Sequence, residues 1–173
     1  VLSTDTLIYG GLVDSRKHNI PLSTLESRLK RIESLKARNK KVRIYGFGTV
    51  MRSPRASGGG TEPAYYAEYG PTIFQIAALQ DKLDSGSLTQ EETQKLMSLQ
   101  ASVPVEYLQD WFDRRQKNMK INKELIDETR SGVFDYFALG HDDTSQLSQS
   151  ALEGRYLNKY SKDISVEKYG SFP

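Results

Sequence analysis

An α/β fold is what this sequence predicts: a parallel sheet of βαβ type with a large helical insertion between its second and third strands. Three observations carry that expectation. Three short runs are rich in β-branched and aromatic residues and are bounded by glycine. An amphipathic helix joins the first run to the second. A long stretch carrying helix signals separates the second from the third.

The first predicted strand spans about Thr6–Val13, with Leu7, Ile8, Tyr9, Leu12 and Val13. A helix follows. Ser23 and Glu26 have capping-box spacing, Leu22, Leu25, Leu29, Ile32 and Leu35 recur at three or four residues, and Asn39 can end it. The second predicted strand is Lys41–Val50. Strand, helix and strand form a βαβ unit, so the two strands should be parallel. A Ser/Gly loop, Ser53–Thr61, then opens the insertion, which occupies about 61–130. Its helices are expected over Pro63–Leu83, broken near Gly70-Pro71, from Thr89, where Thr89 and Glu92 repeat the capping-box spacing, and from Pro104 to Arg130, with Gly132 behind. The third strand is Val133–Leu139, and a last helix covers about Ser148–Tyr160. The near-continuous apolar runs suit strands buried on both faces. The whole, 1–173, reads as one α/β domain or part of a larger one. The start without Met and the end at Ser171-Phe172-Pro173 suggest a piece of a longer protein.

Composition narrows the function classes. Lys plus Arg is 24 against 22 Asp plus Glu, and this near-balance argues against nucleic acid as the main partner. The basic stretch Arg28–Arg43 alternates with Leu29, Ile32 and Leu35 and reads as a solvated helix face. No apolar run approaches the roughly 18 residues of a membrane span. Cysteine is absent, which removes disulfides, thiolate metal sites and a Cys nucleophile. No sequence feature calls for a cofactor. Compartment and oligomeric state are not legible.

Two groups of polar residues stand where apolar ones are expected. The stripe Leu108, Phe112, Arg115, Met119, Asn122, Ile126 on the longest helix is broken by Arg115 and Asn122, with Asn118 beside them. Either Arg115 snorkels and the Asn residues bond nearby carbonyls, or this face lines a polar cleft in which Arg114 or Arg115 grips an oxygen-rich group. The strand ends form the second group. The first ends in Gly10-Gly11-Leu12-Val13-Asp14-Ser15-Arg16, the second runs on to Arg52, and the third ends in Gly140-His141-Asp142-Asp143. Parallel strands bring these ends to one rim, where α/β ligands bind. The Asp142-Asp143 pair has three readings: a cap and ion-pair partner for Arg16 or Arg52, an acid/base pair, or metal ligands with His141 and His18.

These same residues carry a resemblance. Tyr9-Gly-Gly-Leu-Val-x-Ser-Arg16 with His18 resembles the bacterial family of domain of unknown function 4127. So do Val50-Met-Arg-Ser-Pro-Arg55, Glu62-Pro-Ala-Tyr-Tyr66, Arg114-Arg115-x-x-Asn118-x-x-x-Asn122, and Gly140-x-Asp142-Asp143-Thr144 ahead of Glu153. The likeness spans essentially the whole chain and implies no established activity. The family pattern more often has another residue at position 141, which weighs against the metal reading. In chemistry alone, the Asp-Asp pair is similar to that of substrate-assisted N-acetylglucosaminidases of the hyaluronidase type. The expected function is therefore hydrolase-like, on a glycan or amino sugar. Asp142 and Asp143 are the acid/base pair, Arg16 and Arg52 position substrate, and Arg115, Asn118 and Asn122 supply polar contacts. The loop Gly58–Gly60 is a candidate cover. The alternatives are a carbohydrate- or carboxylate-binding module without turnover, and a scaffold segment of a larger protein.

Overall fold

The computed structural model describes residues 1–55, 60–143 and 145–163. Its elements run β1 (Leu2–Ser3), α1 (Thr4–Tyr9), a 3-10 turn (Asp14–Arg16), α2 (Leu22–Arg38), β2 (Tyr45–Val50), α3 (Tyr66–Asp84), α4 (Gln90–Ala101), α5 (Val105–Arg130), β3 (Tyr136–His141) and α6 (Gln149–Asp163). The strands form one parallel sheet in the order β1-β2-β3, with Leu2 opposite Gly46 and Tyr45 opposite Tyr136. The helical insertion lies between β2 and β3, as expected. No helix among the described residues is long and apolar enough to cross a membrane.

The first strand sits earlier than predicted. Leu7, Ile8 and Tyr9 lie on α1, not on a strand. A three-residue apolar run fits one turn of helix as well as it fits a strand. The local chemistry decides: Ser3 Oγ accepts the Thr6 N–H at 3.3 Å as an N-cap, and Gly10 closes the helix at φ 107°, a left-handed conformation that suits glycine. Strand pairing is thus left to Leu2 and Ser3. The predicted Ser23 cap is not used either. Helix α2 starts one residue before it, behind Pro21, and Glu26 instead pairs with Lys120 of α5. The Thr89–Glu92 capping box forms reciprocally, at 3.1 Å in each direction. Pro71 is accommodated inside α3, so the expected break there is absent.

Among the described residues, the sheet is covered on one face only. Along β2, exposure alternates, with Tyr45 and Phe47 outward and Gly46, Gly48 and Val50 inward. The inward glycines are sterically required. A Cβ on Gly46 would stand 2.6 Å from the Phe134 ring, and one on Gly48 would stand 2.4 Å from Thr4 Oγ1. The inner face meets Ile8, Leu25, Leu29, Ile32, Ile121, Leu125, Phe134 and Phe137, which form the main core. Val42 and Leu139 lie partly buried at its edge. A second cluster joins α3 and α4 to Trp111 at the start of α5, and a third joins Val50, Ile126 and Leu157 under α6. The expectation of strands buried on both faces is therefore corrected. The runs read as continuously apolar because small inward glycines alternate with outward aromatics.

Candidate functional site

The two anomalies of the sequence resolve differently. Arg115 is 1% exposed and fully engaged. Its guanidinium donates to Glu153 Oε1 at 2.7 Å and Oε2 at 2.8 Å, and to the carbonyls of Met51 at 2.7 Å and Arg52 at 2.9 Å. It also lies over the Trp111 ring, 4.8 Å from the centroid. A fork with this many acceptors clamps the segment after β2 to α5 and α6. Asn118 does similar work on the other side. Its Nδ2 donates to the Ser15 carbonyl at 2.8 Å, and its Oδ1 lies 2.8 Å from His18 Nε2. His18 Nδ1 accepts the Ile20 N–H at 3.3 Å, which leaves the proton on Nε2, and burial lowers the ring's pKa. Arg114 completes the set, donating to the His18 carbonyl at 2.9 Å and to both oxygens of Asp110. Asn122 is buried further along the same helix. The polar stripe of α5 is thus a scaffold that holds the loops after α1 and β2.

Those loops carry the strand-end residues, and Arg16, Arg52 and Asp142 meet here, joined by Glu62, while Asp143 does not. Arg16 is 5% exposed and ion-pairs with Asp142 just beyond β3. Its other terminal nitrogen lies 3.6 Å from Glu62 Oε1. Arg52 Nε donates to the same Glu62 oxygen at 2.8 Å, and its Nη2 reaches Thr61 Oγ1 at 3.0 Å. Arg16 Nε is buried without a hydrogen-bond partner among the described residues. Lys17 reaches across to the Gly60 carbonyl at 2.8 Å. On the sheet side, Thr49 Oγ1 donates to Asp5 Oδ2 at 3.0 Å. Burial raises the pKa of both Asp5 and Glu62. Thr49 opposes the shift at Asp5 and the Asp142 charge adds to it; at Glu62 the opposition comes from Arg52 and Arg16. Asp142 is the accessible carboxylate of the buried set, its side chain 22% exposed against 4% for Glu62.

Asp143 faces elsewhere. Its oxygens accept the backbone N–H of Ser53 at 3.2 Å and of Ser145 at 2.8 Å, so it ties β2's exit to the segment before α6. His141 alternates to the inner side, its ring against Gly154 of α6, in a cavity of about 410 Å³ lined also by Val50, Ile126 and Leu157. His18 and His141 therefore have separate surroundings, and no group of three or more His, Cys, Asp or Glu among the described residues is placed to hold a metal ion. Thr144, Gly58 and Gly59 lie outside the described residues.

Sequence reasoning missed Asp5 and Glu62. Glu62 stood in plain view in its Glu-Pro-Ala-Tyr-Tyr stretch, but a carboxylate in a loop carries no periodic signal. Asp5 was hidden by the misplaced first strand. The chain matches the family described as "Protein of unknown function (DUF4127)" over residues 1–173 and belongs to it. No curated protein and no solved structure matches it.

Proposed function

We propose that this family member acts on a polar, oxygen-rich ligand of the glycan or amino-sugar class, held at the rim where β2 and β3 end, in a hydrolase-like reaction. Arg16 and Arg52 position the ligand, and Asp142 is the carboxylate that meets it. The observation that supports this reading is the convergence of Arg16, Arg52, Glu62 and Asp142, from four separate stretches of chain, around a buried guanidinium whose Nε has no hydrogen-bond partner among the described residues. Mixed donors and acceptors suit hydroxyl groups, which need both. The second carboxyl of an acid/base pair is better filled by Glu62 than by Asp143. Burial favours its protonated form, whereas Asp143 spends its oxygens on backbone N–H groups. Arg115, Asn118 and Asn122 support the rim as positioning residues.

A second reading, binding without turnover, is favoured by the ion pair to Arg16, which neutralises Asp142. A screen of the full chain against chromogenic N-acetylglucosaminides and related glycosides separates the two. Turnover that falls by about 10²–10⁴-fold in Asp142→Asn supports catalysis. Binding without turnover by any glycoside supports the second reading, and the absence of both turnover and binding removes the glycan proposal.

A further inference from the structure

The outward face of the sheet carries three large aromatic side chains that nothing in the rim accounts for. Tyr45 is 42% exposed, Phe47 48% and Tyr136 47%. Tyr45 stands opposite Tyr136 in the parallel register, and Phe47 opposite Ala138. Register partners share a face, so the three rings form one platform at the N-terminal half of the strands. The same face continues with small residues, Thr49 opposite Gly140, and Gly140 is exposed. Two residues beyond Gly140 comes Asp142, and Thr49 bonds Asp5. The aromatic platform and the charged rim are thus two ends of one open track. From Ala138 to Asp142 the track measures about 13 Å, and from Tyr136 about 20 Å, at roughly 3.3 Å per residue.

We infer that this face is an extended subsite for a neutral oligosaccharide, whose rings stack on Phe47, Tyr45 and Tyr136 while its terminal unit lies at Asp142. The inference rests on the glycan reading of the rim and adds the length and direction of the ligand. Three features select this occupant. Flat apolar sugar faces fit half-exposed rings whose edges remain wet. The small residues between platform and rim leave room for a chain lying along the strands. The rim end sets Asp142, Asp5 and Glu62 among Arg16 and Arg52, a balanced mix of acceptors and donors that suits the hydroxyl groups of a neutral ligand.

The test is calorimetric titration of the full chain with chito-oligosaccharides of one to five rings, for the wild type and for Phe47→Ala and Tyr136→Ala. Melting curves confirm that each variant folds. The expected result is affinity that climbs with chain length in the wild type. Each variant loses roughly tenfold for the longest oligomer and keeps the affinity for the single sugar. Single-sugar binding with no gain from length overturns the subsite and leaves the rim reading standing. No binding at any length overturns both. Sedimentation showing a wild-type dimer that Tyr136→Ala dissociates assigns the platform to self-association and also overturns the proposal.

Discussion

Two buried arginines, Arg115 and Arg16, teach more about this molecule than any apolar contact. Both are nearly inaccessible, at 1% and 5% exposure. Arg115 has its charge met by a bidentate carboxylate, two backbone carbonyls and an indole face. Arg16 touches two carboxylates, shares one of them with Arg52, and leaves Nε without a partner among the described residues. A buried cation is costly unless its hydrogen bonds are complete. Arg115 meets that condition and works as a clamp. Arg16 does not meet it, and it stands where parallel sheets present ligands. Incomplete satisfaction at a strand-end rim is the physical mark that separates the two.

The largest expected effect breaks the clamp. Arg115→Ala leaves Glu153 buried without its cation and frees the Met51 and Arg52 carbonyls, so it should cost about 3–5 kcal/mol in denaturant unfolding. A cost near that of a surface substitution would place Arg115 among the ligand-facing residues. Arg16→Ala should cost less, about 1–3 kcal/mol, because Arg52 still serves Glu62 and Asp142 is partly solvated. If Arg16→Ala proves the more destabilising of the two, the roles are reversed.

A third pairing sharpens the contrast by having no complement. Glu128 of α5 faces Glu33 of α2 in a groove lined also by Glu26, Lys30, Glu124 and Asp127. Burial and the Glu33 carboxyl raise Glu128 from 4.5 to about 7. The folded state therefore holds a proton that the unfolded chain releases near 4.5. Stability from this group is present below that value and declines as pH rises towards about 7. Glu128→Gln should raise the melting temperature at pH 8 and change little at pH 4. Equal shifts at both would contradict a Glu128 that holds its proton in the folded state. The smallest effect tests local structure alone. Thr89→Ala removes one half of the α4 capping box and should cost about 1 kcal/mol. That helix lies away from the rim, so ligand binding should not change.

Much of the fold was legible because it rests on periodic signals. The α2 stripe, the capping box at Thr89 and the Pro104-to-Gly132 span of the long helix all depend on spacing, and spacing survives without coordinates. The first strand failed for the same reason, since Leu7-Ile8-Tyr9 is too short to show a period. The sheet's open face was missed because Tyr45 and Phe47 are as apolar as core residues, and only Gly46 and Gly48 hinted that the inward side was already full. At the rim, glycine followed by charge pointed to Arg16 and Asp142, which the fold brings into one ion pair. The division of labour in Asp142-Asp143, one carboxylate meeting Arg16 and the other accepting backbone N–H groups, was among the readings the sequence allowed, but not which Asp does which. Glu62, which completes the cluster, comes from a loop with no pattern of its own.

Whether the rim, and not the satisfied clamp, receives the ligand is tested most directly by amide chemical shifts of the full chain titrated with the N-acetylglucosamine disaccharide. Saturable shifts are expected at Arg16, Thr49, Arg52, Glu62, Gly140 and Asp142, with Trp111, Arg115 and Glu153 unmoved. Shifts centred on Arg115 and Glu153, or none that saturate, would contradict a ligand at the rim.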